Sequence, residues 1–255
     1  MGDKSAIEWT DSSWNPVTGC TKVSAGCAFC YAERLSKRLQ KMNPKGKYRN
    51  GFKLTLHEKD IELPLSWKEP RTIFVNSMSD LFHEQVPYDF IKRVFDTMEK
   101  ANWHIFQILT KRPERMQYFT NEYYGKVLPN VWLGTSIEND KVLHRLAILK
   151  KVNAAIRFIS FEPLLGHVGK VNLRGIHWAI VGGESGPHHR LIKEEWVHEI
   201  RKQCRKYGTA FFFKQWGGLT SKSGGRTLNG RIYDKYPKTY LLMKKERLIK
   251  NDMAR

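Results

Sequence analysis

Apolar positions along the chain fall into short runs rich in β-branched and aromatic residues. Each is followed by a polar turn, and most then by a stretch with apolar residues at helical spacing. The runs are KLTLH (53–57), TIFVN (72–76), HIFQIL (104–109), VWLGT (131–135), IRFIS (156–160), HWAIVG (177–182) and AFFFK (210–214), with NPVTGC (15–20) as a first strand before them. Helical spacing recurs over residues 32–42, 88–102, 114–124, 142–152 and 193–208. Strand and helix in alternation predict parallel βαβ units. The six to eight units in one chain of this length predict an α/β fold, a complete or partial (β/α) barrel rather than an open doubly wound sheet. The expected division gives residues 1–215 to the barrel and 216–255 to a basic, glycine-rich C-terminal extension packed on it or covering it.

In a parallel barrel the C-terminal ends of the strands form the active-site face. Directly after the strands stand Ser77 and Asp80, then Thr110, Lys111 and Arg112, then Ser136, Glu138 and Asn139, then Glu162, and finally Gly182, Gly183 and Glu184. Five loops bring these groups to one mouth, where they form the expected cofactor- and substrate-binding set. Ser, Asp and Asn at such positions also serve as helix caps, so the set carries more weight than any single member.

Composition narrows the class. With 255 residues, 41% of them hydrophobic and 8 of them Trp, the chain can bury a substantial core. No stretch approaches the roughly 18–20 consecutive apolar residues of a membrane span, and the N-terminus lacks the charged start and apolar run of a signal peptide, so a cytoplasmic protein is expected. The formal charge of +19 is concentrated: residues 31–53 carry +7 and residues 211–255 carry +8. Such blocks suit a polyanion, with nucleic acid or a nucleotide-like anion as the expected partner; a generally basic, solvated surface is the alternative. In the C-terminal block Lys214, Lys222, Arg226 and Arg231 can contact phosphates while Trp216, Tyr233 or Tyr236 stack on a base, or the segment can serve as a lid.

Three of the four cysteines lie within eleven residues, in GCTKVSAGCAFCYAERL, with the spacing C-x6-C-x2-C, directly before a helix. Cys204 stands apart on an amphipathic helix and reads as a small buried hydrophobe. Too few for a disulfide scaffold, the clustered thiols point to metal. Thiolates suit iron–sulfur clusters or zinc. A closed zinc site takes four ligands, and a second CxxC or an HxxxH is missing; His57, His83 or His104 could complete a tetrahedron, which would make the chain a zinc-stabilised nucleic-acid-binding module. Three cysteines on a [4Fe-4S] cluster instead leave one iron open. That iron can chelate S-adenosyl-L-methionine (SAM) and pass an electron to its sulfonium, giving a 5′-deoxyadenosyl radical for hydrogen abstraction. A donor such as a flavodoxin or ferredoxin would supply the electron.

With Cys20, Cys27 and Cys30 as metal ligands and Phe29 just before the last of them, the sequence resembles the radical SAM superfamily, which usually carries C-x3-C-x2-C after the first barrel strand. The first gap here is six residues rather than three. The runs SAIEWTDSSWNPVTGC, FVNSMSDLFHEQVP, ILTKRPERM, SFEPLLG, VGGESG and FFKQWGG resemble a phage-associated three-cysteine family over residues 5 to 237, and that family implies no particular reaction. The resemblance implies a radical SAM enzyme with a [4Fe-4S] cluster and SAM; the basic blocks point to nucleic acid as its substrate, in modification or repair, with a peptide or small metabolite as the alternative. Radical SAM barrels often hold the SAM amino group with Gly-Gly-Glu near the second strand, whereas Gly182-Gly183-Glu184 follows a late strand here.

Overall fold

The computed structural model describes Ser5 and residues 7–240; the part of the expected C-terminal extension from 241 to 255 lies outside the described residues. In chain order the strands are β1 (Ser12–Trp14), β2 (Val17–Thr18), β3 (Thr55–Leu56), β4 (Thr72–Val75), β5 (Ile105–Thr110), β6 (Val131–Ser136), β7 (Ile156–Phe161), β8 (Trp178–Gly182) and β9 (Ala210–Gln215). The helices are α1 (Tyr31–Met42), α2 (Tyr88–Lys100), α3 (Pro113–Tyr118), α4 (His144–Leu149) and α5 (Glu194–Tyr207). Seven strands make one parallel sheet in the order β1-β4-β5-β6-β7-β8-β9, while β2 and β3 form a separate antiparallel pair. The large sheet is a half-barrel with β1 and β9 as its edges. Among the described residues no helix is long and apolar enough to cross a membrane.

Side-chain alternation along each strand separates two apolar layers. Ile73, Val75, Phe106, Ile108, Leu133, Ile159, Val181 and Phe213 pack with helix residues such as Phe90, Val94, Met98, Val197 and Ile200. The alternate residues Phe74, Ile105, Trp132, Phe158, Trp178, Ile180 and Phe212 face inward and pack with Trp9 and Tyr240. Strands buried on both faces read as continuous apolar runs, which is why β4 to β9 were recognisable.

The C-terminal segment enters this inner layer. Asp234 bridges antiparallel to Phe212, Tyr236 stacks on Trp178 at 5.1 Å, and Tyr240 lies edge-on to Trp132 at 5.6 Å. Trp9, from the other end of the chain, stands 6.0 Å from Trp178. Trp132 and Trp178 belong to the N-terminal ends of their strands, so that end of the half-barrel is filled with aromatic rings. The polar strand ends lie opposite.

Three sequence expectations change. The first sheet strand is Ser12–Trp14, not 15–20: Pro16 has no N–H to continue a ladder, and Val17–Thr18 turns away to pair with Thr55–Leu56. KLTLH therefore joins the small pair, and the short 3-10 turns Glu58–Asp60 and Leu63–Ser66 follow it. The helix expected over 114–124 ends at Tyr118 and continues as one π turn, Phe119–Tyr123. Helix α5 follows its pattern closely, with Glu194 and Glu195 in the first turn, Arg205 and Lys206 in the last, and left-handed Gly208 as its cap. Cys204 is buried in it, and burial pushes its thiol up to about 12.

Candidate functional site

A cavity of about 500 Å³ opens at the C-terminal ends of the sheet strands. That volume lies within the roughly 300–1,000 Å³ of small-molecule and cofactor sites. Cys20, Cys27 and Cys30 line it, as do Ser77, Asp80, Thr110, Lys111, Ser136, Glu162, Gly183 and Glu184; Trp9, Phe74 and Leu109 give it an apolar floor. Glu138, Asn139 and Gly182 are not on its wall.

The cysteine loop contains only the short 3-10 turn Ala25–Cys27, so side-chain anchors hold it. Gly19, just before Cys20, has φ +82, and a Cβ there would lie 2.2 Å from the Lys53 carbonyl oxygen. No other residue type fits that approach. The Gly19 amide donates to the Met78 carbonyl and the Cys20 amide to the Phe52 carbonyl. Cys20 is thereby fixed between the loop after β4 and the segment before β3.

Three ionic anchors hold the loop from the barrel side. At the first, buried Arg112 donates to Glu84 at 2.6 Å, to Asp80 at 3.1 Å, to Thr21 Oγ1 at 2.9 Å and to Cys20 Sγ at 3.5 Å. Asp80 also accepts from the Thr110 hydroxyl at 2.7 Å and from the amides of Phe82 and Lys111 at 3.0 Å. Burial pushes the Cys20 thiol up to about 11, with the Asp80 charge adding to it, while Arg112 opposes both by favouring the thiolate.

At the second anchor Glu138, 1% exposed, accepts from Ser24 at 2.6 Å and from Arg145 at 3.1 Å; Lys111 stands 3.9 Å away. At the third, Glu184 receives the Arg190 guanidinium through Nε at 2.8 Å and NH2 at 2.6 Å, and Arg190 also reaches the Ala25 carbonyl at 2.9 Å while covering the Phe29 ring. Nothing in the sequence singles out Arg145 or Arg190, each one cation among many, apart from the six-residue interval from Glu184 to Arg190.

The remaining expected residues divide by surroundings. Asn139 caps a turn by accepting from the Lys141 amide at 3.1 Å. Ser77 donates to Asn15 at 3.2 Å. Glu162 accepts from Ser160 at 2.9 Å and pairs with Lys214 at 3.1 Å, with Gly182 between them. The Gly183 backbone packs against Trp216, where a Cβ would meet the carbonyl oxygen at 1.9 Å. The end of the second sheet strand, β4, carries Asn76, Ser77 and Asp80 in place of a Gly-Gly-Glu sequence.

The histidines lie elsewhere than on the thiols. His57 bonds to Thr18 at 2.8 Å, His83 to Thr21 at 2.9 Å, and fully buried His104 to the Pro64 carbonyl at 3.0 Å. Among the described residues no three His, Cys, Asp or Glu side chains converge to hold a single metal ion.

Comparison with solved structures gives spore photoproduct lyase, as a cysteine-to-serine mutant, with a TM-score of 0.51 at 10% identity over 84% of this chain and 80% of that one. A tyrosine-to-phenylalanine mutant of the lyase gives 0.48 at 11% identity over 77% and 74%. A structure with bound AdoMet and dinucleoside spore photoproduct gives 0.41 at 13% identity over 92% and 60%. The first of these establishes a shared fold. No curated protein is significantly similar in sequence. A family model matches residues 4–237, and the chain belongs to that family, described as Protein of unknown function (DUF5131).

Proposed function

We propose that the protein is a radical SAM enzyme, with Cys20, Cys27 and Cys30 as ligands of a [4Fe-4S] cluster and a nucleic acid or nucleotide-like molecule as substrate. The observation that carries the reading is the placement of all three thiols on one cavity at the strand ends of a parallel half-barrel. The donor set fits: three soft thiolates on one cavity suit a cluster whose irons each take one of them. The fold shared with spore photoproduct lyase, itself a radical SAM enzyme, supports the same reading.

When bound, the cluster and SAM would supply one-electron cleavage of the sulfonium and hydrogen abstraction from unactivated carbon. The chain's own residues hold, orient and shield. Arg112, Glu138 and Arg190 fix the cysteine loop to three successive parts of the half-barrel. Asp80 and Glu184 have their oxygens filled by protein donors and act as positioning residues. Lys111 and Ser136, with the Glu162–Lys214 ion pair beside them, line the cavity as the contacts for SAM and substrate, and Trp9, Phe74 and Leu109 keep water from the apolar end.

Nucleic acid is favoured by charge. Arg34, Lys37, Arg38, Lys41 and Lys45 are exposed on and just after α1, which leaves the cysteine loop directly. Lys222 and Arg231 add exposed cations from the C-terminal segment, with Arg226 partly exposed beside them. The electron would come from a small donor such as a flavodoxin or ferredoxin.

The test is anaerobic incubation with SAM, a low-potential reductant and single- and double-stranded oligonucleotides, followed by mass spectrometry. Release of 5′-deoxyadenosine together with a changed nucleoside supports the proposal. Release that is indifferent to every oligonucleotide removes the substrate assignment and leaves the cofactor assignment standing.

A further inference from the structure

Arg112 is 5% exposed and has every guanidinium nitrogen engaged, yet one of its N–H groups is spent on a sulfur. Glu84 and Asp80 would neutralise it without Cys20; instead NH1 is shared between Asp80 Oδ2 at 3.1 Å and Cys20 Sγ at 3.5 Å. NH2 takes Thr21, the residue following Cys20, through both its carbonyl at 3.3 Å and its hydroxyl at 2.9 Å. The fork thus grips the backbone beside one thiol and points a cationic donor at that thiol's sulfur. Cys27 and Cys30 have no such donor among the described residues: the Cys27 sulfur lies 4.0 Å from the Ser24 hydroxyl.

From this geometry, and resting on the cluster assignment above, we infer that Arg112 is a positioning residue that raises the reduction potential of the cluster through its N–H···S bond to Cys20. Reduction adds negative charge to the cluster and its sulfurs. A cationic donor fixed on one of those sulfurs stabilises the reduced form more than the oxidised one, and hydrogen bonds to ligating sulfurs are a general means of setting such potentials. Asp80 and Glu84 lie behind the guanidinium and moderate the effect. Their second contribution is to keep the fork from swinging away, because each holds a different nitrogen.

The test uses the full chain, reconstituted anaerobically, with iron and sulfide assayed and the midpoint potential read by EPR during a reductive titration. Arg112→Met is expected to bind iron at the wild-type level and to titrate at a more negative potential. Arg112→Lys, which keeps the charge and loses the fork, should fall between the two. Thr21→Val removes an anchor of the same guanidinium without touching the N–H···S bond and should titrate close to wild type. Glu84→Gln alters an exposed carboxylate, leaves the core packing intact, and should move the potential in the positive direction by freeing the cation toward the sulfur. If Arg112→Met fails to fold, Arg112→Lys and Glu84→Gln carry the measurement. Wild-type potentials in every Arg112 and Glu84 variant that holds a full cluster would overturn the inference while leaving the enzyme assignment intact. A wild-type chain that binds no four-iron cluster would instead remove the assignment on which it rests.

Discussion

Glu162 and Lys214 meet at 3.1 Å across a strand whose intervening residue, Gly182, has no side chain to separate them. A Cβ at Gly182 would lie 2.5 Å from Glu162 Oε1, and one at Gly183 would lie 1.9 Å from the Trp216 carbonyl oxygen. The two glycines therefore serve different ends: Gly182 lets an ion pair cross the cavity wall, and Gly183 lets two backbone segments touch.

Gly182→Ala should lower the free energy of unfolding by about 1–3 kcal/mol, because the carboxylate in its way can shift only by leaving Lys214. Gly183→Ala should cost more, since the obstacle is backbone. Urea titrations of the two variants check the order, and equal stabilities would count against the packing described.

Glu138 joins the cysteine loop to the barrel, and its loss strands a buried cation. Glu138→Ala should destabilise by about 3–5 kcal/mol, through an unpaired Arg145. Ser24→Ala, which removes the contact to the loop and leaves the Glu138–Arg145 pair, should cost about 1 kcal/mol. In the second variant Cys27 should alkylate faster than in wild type while Cys204 stays protected, which mass mapping after brief iodoacetamide treatment would read.

His57 supplies a pH dependence. Burial, with the neighbouring Lys47 and Arg49 charges adding to it and Asp60 opposing, lowers its pKa from 6.5 to about 4. An unfolded chain protonates this ring near pH 6.5, and the native one resists until about pH 4. Below the unfolded value the unfolded state binds more protons, so the contribution is complete above about pH 6.5 and is lost as pH falls toward 4. His57 is partly exposed, so the loss should be on the order of 1–2 kcal/mol. His57→Gln should flatten the urea midpoint between pH 7.5 and 4.5 relative to wild type.

The aromatic end of the half-barrel should be thermodynamically prominent. Trp178 touches Trp9, Trp132, Phe158, Phe212 and Tyr236, and Trp178→Ala should cost about 3–5 kcal/mol. Tyr236→Ala should cost less, because its ring covers that cluster from the partly exposed side. Thermal unfolding of both variants tests whether the C-terminal segment contributes to barrel stability.

The strands from TIFV onward were legible because both of their faces are apolar, and α5 because its stripe and its charged ends agree. SSW was not, since two serines in a three-residue strand leave no periodicity to detect. The pattern in KLTLH gave a strand, yet nothing in the pattern says which sheet a strand joins. Site residues followed the same division. Strand-end position marks Glu162 and Ser136 as cavity residues, but not that Asp80 is filled by Thr110, two amides and Arg112, that Glu184 is filled by Arg190, or that Asn139 caps a turn. Those outcomes depend on contacts between loops far apart in sequence. Arg112 was visible beside Thr110 and Lys111; its bond to Cys20, 92 positions away, was not.

Iron and acid-labile sulfide per chain, measured after anaerobic reconstitution of the wild type and of the Cys20→Ala, Cys27→Ala and Cys30→Ala variants, test the cluster assignment most directly. The expected result is about four irons in the wild type and loss of the cluster on removal of any one of these thiols. A single ion per chain, or a four-iron cluster that survives removal of all three, would contradict it.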